Sequence, residues 1–400
     1  MQCIFFDNTI EGGKSMKLLV VTPLIPYSEK LYDDFVHDRL KLYKSYDEKL
    51  QIEVIAYGGK NVNEEKHLVD VNNIRVTTCD SVESLYKYYK KIEPDVILIH
   101  FFNWRFFDEF VKKVNEPILV WVHGVEALSW KRRLFNFTLS SPIAFLKYIL
   151  LNIVQLNTFS KLIDYSNQTN KVRFVFVSNW MRETCFKDVK NSTKNYEIIP
   201  NVIDTQFFEY KKKSVSLRRN ILIIKSFESR KYANDISIRA ILHLSKHYDK
   251  FKELKFTIIG YGRLWNKLTK KLDKFDNITL INKFLTHEEI KRYHSENGIF
   301  LTPTRQDSQG VSMCEAMSSG LVPISSNNTA IPEFLNREAG YLTNNYIEIA
   351  KAIEELNDNP ELFSEKSIKA ANLIRNLVSF EKTIKKEIDL INSIYQENKK

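Results

Sequence analysis

The sequence predicts an α/β chain made of two consecutive, doubly wound domains, each a largely parallel sheet between layers of helix. Three observations carry this. Short apolar runs alternate with helix-period segments, the pattern of strands covered on both faces by crossover helices. The alternation runs once from Leu18 to Ser178 and starts afresh at Asn220. The length, 400 residues, exceeds what one hydrophobic core usually serves. Hydrophobic residues make up 44% and charged residues 27% of the chain, an ordinary globular balance that argues against disorder.

In the first series Leu18–Val21, Ile52–Ala56, Val96–His100, Ile118–His123 and Val172–Ser178 read as buried strands. Between the first two, Asp34–Tyr46 sets Phe35, Leu40, Leu42 and Tyr43 broadly on one helical face. The second series offers Asn220–Ile224, Phe256–Gly260, Ile278–Ile281, Ile299–Pro303 and Val322–Ser325. The change of series falls near Ile199-Pro-Asn-Val-Ile-Asp204, followed by a polar, Lys-rich linker at Lys211–Ser216. Asn201 and Asp204 have short polar side chains that bond local backbone, so they are expected to fix this turn. Thr286-His-Glu-Glu289 is a capping box, and Asn359-Pro360 places an N-cap before a proline at the first helical position. Phe380–Tyr395 puts Ile384, Ile388, Ile391 and Tyr395 on one stripe. The expected division is an N-terminal extension 1–15, Rossmann-like domains at 16–204 and 205–379, and a terminal helix at 380–400. Met16-Lys-Leu-Leu-Val-Val-Thr22 reads as an ordinary protein beginning, and Glu11-Gly-Gly-Lys-Ser15 as a translated, purine-rich ribosome-binding sequence. Met16 is therefore the expected start, which the intact mass of the protein expressed from its own locus tests.

The formal charge is +10 and the pI about 9.1. No zinc-finger spacing or RNA-binding aromatic signature accompanies the excess, so anionic membrane or phosphorylated ligands are favoured over nucleic acid. Cys3, Cys79, Cys185 and Cys314 have no metal-type spacing and suit reduced thiols in the cytoplasm. Met1–Ser15 lacks the basic start and apolar run of a secretory signal. Ile143–Leu156 is the most apolar segment, but Lys147, Asn152 and Gln155 interrupt it, so it reads as too short and polar to span a bilayer. Trp130-Lys-Arg-Arg-Leu-Phe135 precedes it. Cations and aromatics beside amphipathic structure suit peripheral contact with an anionic membrane; the alternative is a buried helix with a basic flank.

The densest information lies in Thr304-Arg-Gln-Asp-Ser-Gln-Gly-Val-Ser-Met-Cys-Glu-Ala-Met-Ser-Ser-Gly-Leu-Val-Pro323. Asp307 and Glu315 bracket seven residues that pass from a Ser/Gln/Gly turn into a helical pattern. One carboxylate then stands at a helix start and the other on the helix. Unpaired amides at such a start, here Ser308, Gln309, Gly310 and Val311, favour an anion, and Gly310 admits a ligand close to the main chain. Two acceptor carboxylates beside an anion site suit a ligand with both hydroxyls and phosphate, such as a nucleotide sugar. Positive side chains are expected to face this site, and Ile223-Ile-Lys-Ser-Phe-Glu-Ser-Arg-Lys231, after the first strand of the second series, carries Lys225, Arg230 and the adjacent Lys231. Trp121-Val-His-Gly-Val-Glu126 places His123 at a strand end, where open α/β sheets bind ligands.

These segments resemble the retaining glycosyltransferases of family 4 (glycosyl transferases group 1), whose fold is GT-B: two Rossmann-like domains facing across a cleft, with the terminal helix crossing back to the first. The resemblance implies that Asp307 contacts donor-sugar hydroxyls and that His123 lies near the reacting carbon. It implies Lys225, Arg230 and the loop Ser308–Val311 as the diphosphate clamp and Glu315 as the ribose ligand. Gly260-Tyr-Gly262 then lines the nucleotide side, and Lys283-Phe284-Leu285 holds the base through backbone contacts. Two departures stand out. Asp307 replaces the usual Glu, one methylene shorter, and Pro23-Leu-Ile-Pro-Tyr-Ser-Glu-Lys30 lacks the family's glycines, although Phe35-Val-His-Asp-Arg39 keeps a family-like helix start. The implied function is retaining hexosyl transfer from a UDP- or GDP-linked sugar to a glycan or polyprenyl-linked saccharide in surface polysaccharide biosynthesis. The implied setting is the cytoplasm or the inner face of the cell membrane, without metal, other cofactor or nucleic acid. A nucleotide-sugar epimerase and a non-catalytic GT-B-like accessory subunit remain alternatives.

Overall fold

The computed structural model describes residues 15–23, 35–57, 67–69, 74–137 and 142–399. The first-loop departure beyond Pro23 and the extension before Ser15 lie outside the described residues. Eight strands form the first sheet: β1 (Lys17–Thr22), β2 (Gln51–Tyr57), β3 (His67–Val69), β4 (Arg75–Cys79), β5 (Val96–His100), β6 (Ile118–Val122), β7 (Val172–Phe176) and β8 (Tyr196–Ile198). Their order is β3-β4-β2-β1-β5-β6-β7-β8, parallel except for the β3–β4 pair. The second sheet has β9 (Asn220–Ile224), β10 (Lys255–Ile259), β11 (Ile278–Ile281), β12 (Ile299–Thr302), β13 (Val322–Ser326) and β14 (Tyr341–Thr343). Its order is β11-β10-β9-β12-β13-β14, and its pairs are parallel. Every strand expected from an apolar run is present. β3, β4, β8 and β14 were not anticipated, because they are short or mix His, Arg, Thr, Glu and Tyr among few aliphatics. Val172–Ser178 ends earlier than expected, at Phe176; the Ser178 hydroxyl instead accepts from Met181 N and caps the helix Asn179–Val189.

Both faces of β1 are buried, which is why it reads as an unbroken apolar run. Leu19 and Val21 join the layer holding Phe159 and Phe174, while Leu18 and Val20 join the layer holding Tyr43 and Trp121. The helix Ile384–Lys399 completes that second layer with Ile384, Ile388, Ile391 and Ile394. The chain therefore returns from the second sheet to close the core of the first domain. A buried ionic group fixes the return. Arg39 Nε donates to Glu387 Oε2 at 2.9 Å and Oε1 at 3.2 Å, and the Tyr43 hydroxyl donates to Oε2 at 2.5 Å. Burial, then the Glu387 charge, push the Tyr43 hydroxyl well above its usual range.

The capping box at Thr286 and Glu289 is present in both directions. Pro360 starts its helix as expected, but Asn359 makes no side-chain cap. Its Nδ2 donates to Glu355 O at 2.8 Å, closing the preceding helix. Strand order reverses between β1 and β5 and between β9 and β12, and the loops at the carboxyl ends of such switch points are where an α/β sheet takes a ligand.

Candidate active site

Lys225 follows β9 and the segment Thr304–Gly310 follows β12, so the switch point of the second sheet brings them together. The two loops are stitched by Arg305 N donating to Lys231 O at 2.9 Å and Thr304 Oγ1 donating to the same carbonyl at 3.3 Å. Burial pulls the Lys225 ammonium down to about 8; Asp307 opposes this and Lys231 adds to it. Tyr232 joins the group, its ring 5.9 Å from Lys225 Nζ and 5.4 Å from Lys231 Nζ. Arg230, expected as the second cation, is exposed. Its carbonyl accepts from Arg305 Nη1 and its charge acts on Asp235. The chain turns through a short 3-10 segment at Arg230–Tyr232, and this delivers Lys231 rather than Arg230 to Lys225.

Asp307 corrects the expected anion site. Its Oδ1 accepts from Gly310 N at 2.8 Å and Gln309 N at 3.2 Å, an Asx-type turn that a shorter acid makes readily. Two amides assigned to a ligand are thus held by the protein. The helix Val311–Ser318 begins just beyond, with Gly310 left-handed at φ 84° and no side-chain cap. Its first-turn amides, Val311, Ser312 and Met313, lack intrahelical acceptors by helix geometry. Asp307 and Glu315 both act on the buried Cys314 thiol, which burial chiefly pushes up, so the two acids are near the same helix turn.

Gln309 is buried and its side chain spans the domains. Its Oε1 accepts from Asn201 N at 2.7 Å and Asn201 Nδ2 at 3.0 Å, while its Nε2 donates to Asn201 O at 2.9 Å. It was expected at the diphosphate, but its amide group is occupied here. Asn201 Oδ1 also accepts from Arg39 Nη2 at 3.0 Å, and Asp204 Oδ1 accepts from Gln206 N and Phe207 N; both residues hold the junction, as expected. Ser308 Oγ donates to His123 O at 2.7 Å, tying the loop after β12 to the strand end of the first domain.

His123 sits between Phe35 and Phe101, ring centroids 5.0 and 4.5 Å away. Its partner comes from the neighbouring strand. His100, at the end of β5, places Nδ1 3.0 Å from His123 Nε2, so one ring donates and the other accepts. Burial holds both well below the usual histidine range, and the pair is neutral. β5 and β6 are register neighbours, His100 opposite Trp121; two histidines at adjacent strand ends were the available signal. Glu126 folds back on the turn, its Oε2 accepting from Gly124 N at 3.0 Å and its Oε1 from His123 N. Burial pushes it up to about 7, against the pull of those amides and of Arg133.

Gly260 and Gly262 have a packing reason. A Cβ on Gly260 would meet Lys225 O at 1.9 Å, and one on Gly262, at φ +143°, would meet Glu228 N at 2.3 Å. Their turn lies flat against the Lys225 loop, with Phe227 N donating to Tyr261 O at 2.8 Å. Tyr261 and Phe284, each 54% exposed, pair with ring centroids 5.2 Å apart at the carboxyl ends of β10 and β11. Lys283 pairs with Glu289 at 2.5 Å, and Leu285 packs on the second core.

The apolar stretch at 143–156 belongs to one helix, Pro142–Thr169. It is long and apolar enough to cross a membrane by length and composition, longer than the sequence suggested. Of the interrupting polar residues, Asn152 and Gln155 turn inward and Lys147 is exposed. Asn152 Nδ2 donates to Leu128 O and its Oδ1 accepts from Trp130 N; Gln155 bonds Trp104 N, Phe102 O and Glu126 O. The second half, with Phe159, Leu162 and Ile163, lies in the first core. Ile143, Leu146, Leu150, Ile153 and Val154 remain exposed.

Residues 218–359 match the family described as glycosyl transferases group 1. Over 98 residues the chain is 38% identical to the amylovoran biosynthesis glycosyltransferase AmsK of Erwinia amylovora, a match spanning 22% of this chain and 24% of that protein. Sucrose-phosphate synthase from Thermosynechococcus elongatus superposes with a TM-score of 0.74 at 12% identity, covering 96% of this chain and all of that one. The fold is GT-B. Anabaena HepE, solved with UDP and glucose, superposes with a TM-score of 0.68 at 12% identity over 94% of this chain and 100% of its own.

Proposed function

We propose that the protein is a retaining glycosyltransferase that moves a hexosyl group from a UDP- or GDP-linked sugar to a glycan or lipid-linked saccharide. The observation that carries this reading is the meeting of Lys225, Lys231, Asp307 and the start of helix Val311–Ser318 at the switch point of the second sheet, opposite His123. The donor diphosphate rests on the first-turn amides and the two lysines, which offset the charge that grows as it departs. Asp307 Oδ2 receives the sugar hydroxyls and Glu315 the ribose. The exposed Tyr261–Phe284 pair gives the base a stacking surface. The bond from the anomeric carbon to the diphosphate breaks slightly ahead of acceptor attack on the same face, and the departing phosphate oxygen takes the acceptor proton. Neutral His123 donates or accepts a hydrogen bond at the sugar, its protonation pattern set by His100. The lysines supply the positive charge, so no metal is required.

The match to glycosyl transferases group 1 across the donor domain, AmsK as a relative in polysaccharide biosynthesis, and HepE as a GT-B neighbour holding UDP and glucose support this reading. The AmsK relationship also supports a place in surface polysaccharide assembly; the exposed apolar face of helix Pro142–Thr169 is the feature that suits contact with a membrane. One observation favours a non-catalytic subunit: Asp307 spends one oxygen on its own loop. The test is release of UDP or GDP from a panel of nucleotide sugars, in the presence of EDTA and without acceptor. Slow hydrolysis of one donor is expected, and binding without any hydrolysis or transfer would sink catalysis.

A further inference from the structure

We propose that His100 is a positioning residue that fixes the direction of its hydrogen bond to His123, so that His123 meets the sugar as a hydrogen-bond donor and never as a base. This rests on the transferase reading and selects one proton arrangement within it. His100 ends β5 and is fully buried. The His100 and His123 planes are 17° apart, with centroids separated by 5.3 Å. Together with the 3.0 Å contact from His100 Nδ1 to His123 Nε2, this is the geometry of an in-plane N–H···N bond and not of face-to-face contact.

Two neutral imidazoles joined by one such bond have two arrangements. In the first, His100 Nδ1–H donates to His123 Nε2; His100 Nε2 is then a bare lone pair, and His123 Nδ1 carries a proton. In the second, His123 Nε2–H donates; His100 Nε2 then carries a proton, and His123 Nδ1 is a bare lone pair.

The surroundings of His100 Nε2 select the first. This atom is buried without a hydrogen-bond partner, and so are Trp121 Nε1 and Arg39 Nη1. Trp121 packs on His100 with ring centroids 4.8 Å apart, and the Arg39 charge acts on both histidines. Indole and guanidinium nitrogens donate and do not accept. A proton on His100 Nε2 would add a third buried N–H to two that already lack an acceptor, the kind of orphan that folded proteins avoid most. A lone pair there lies instead in the favourable field of the guanidinium. Arg39 is held in turn by Glu387 on the crossing helix and by Asn201 Oδ1 at the domain junction. The proton order at His123 is therefore set from the far side of the first core.

With this order the His123 Nε2 lone pair is occupied by His100. Its Nδ1–H is the free group, and none of the described residues bonds to it. His123 can donate to a sugar oxygen but has no lone pair with which to take the acceptor proton, which leaves the departing phosphate oxygen to receive it.

The experiment reads the protons directly. The full chain, labelled with 15N-histidine, is examined by long-range 1H–15N correlation. Nε2 couples to both carbon-bound ring protons and Nδ1 to one, so each spectrum shows which nitrogen is protonated; His100→Phe and His123→Asn assign the two rings. In the wild type both rings are expected to be neutral at pH 7 with the proton on Nδ1. His100→Phe should move the His123 proton at least partly to Nε2 and lower turnover of the accepted donor about tenfold, with UDP affinity unchanged as the sign of an intact fold. His100→Asn, whose amide can donate to His123 Nε2, should keep the proton on Nδ1 and recover most of the turnover. A wild-type His123 protonated on Nε2, a His123 pattern unmoved in His100→Phe, or turnover by His100→Asn no better than by His100→Phe overturns the proposal. Nδ1 protons on both wild-type rings without turnover of any donor sink the transferase reading and leave the direction of the bond standing.

Discussion

Raising the pH from 7 to 9 should weaken binding of a nucleoside diphosphate by removing one charge. Lys225 titrates at about 8 in the free protein, lowered by burial against the pull of Asp307 and with the push of Lys231. A group with that pKa is charged in about nine of ten molecules at pH 7 and about one of ten at pH 9. If only the ammonium form grips the diphosphate, affinity falls about tenfold, or roughly 1.4 kcal/mol, over that interval. The sign follows from linkage: the bound anion raises the Lys225 pKa, so binding above pH 8 takes up a proton. Calorimetry with UDP at pH 9, in two buffers of different ionisation enthalpy, should show uptake of about 0.9 proton per site. Lys225→Arg, always charged, should bind with a flat pH profile and no uptake. An affinity constant from pH 7 to 9.5, or uptake that persists in Lys225→Arg, would refute the reasoning.

Glu387→Gln should destabilise the first domain by about 3–5 kcal/mol, because Arg39 stays buried and charged without its counterion; urea unfolding measures this, and Arg39→Met with Glu387→Leu should recover most of the loss. A change below about 1 kcal/mol would mean that the buried group is not what fixes the crossing helix. Asp307→Asn keeps an acceptor for Gln309 N and Gly310 N, so its melting curve should stay near wild type while donor hydrolysis falls. Asp307→Ala should lose the turn as well, at a cost of about 1 kcal/mol. Full hydrolysis by Asp307→Asn would reduce this carboxylate to a turn former.

Much of the architecture was legible because both sheets are buried on two faces, and a strand such as Val96–His100 then has no polar alternate to hide it. The edge strand Tyr196–Ile198 escaped notice for the opposite reason: it needs no apolar run. Motif spacing singled out Lys225, Asp307 and Glu315, and the structure brings Lys225 and Asp307 within reach of each other's charge. Lys231 displaced Arg230 because a three-residue 3-10 turn decides which neighbour faces inward, and spacing along the chain carries no such angle. Gln309 was assigned to the ligand through its amide alone; that its side chain would read the backbone of Asn201, over a hundred residues away, is a property of the packed domains. His100 stayed hidden in an apolar strand, where a histidine gives no periodic signal of its own.

The Gln309 side chain pairs with both the N–H and the C=O of Asn201, as a neighbouring strand would. This joint lies beside the donor loop and shares Asn201 with the Arg39–Glu387 group, so it is anchored on the crossing helix as well. The lobes are tied elsewhere too: Ser308 donates to His123 O, Glu333 accepts from Asn179 N and Trp180 N, and Ser229 donates to Asn136 Oδ1. Parting them therefore means breaking bonds along the whole seam, so the relative placement of the two sheets is held at four points and not by one hinge.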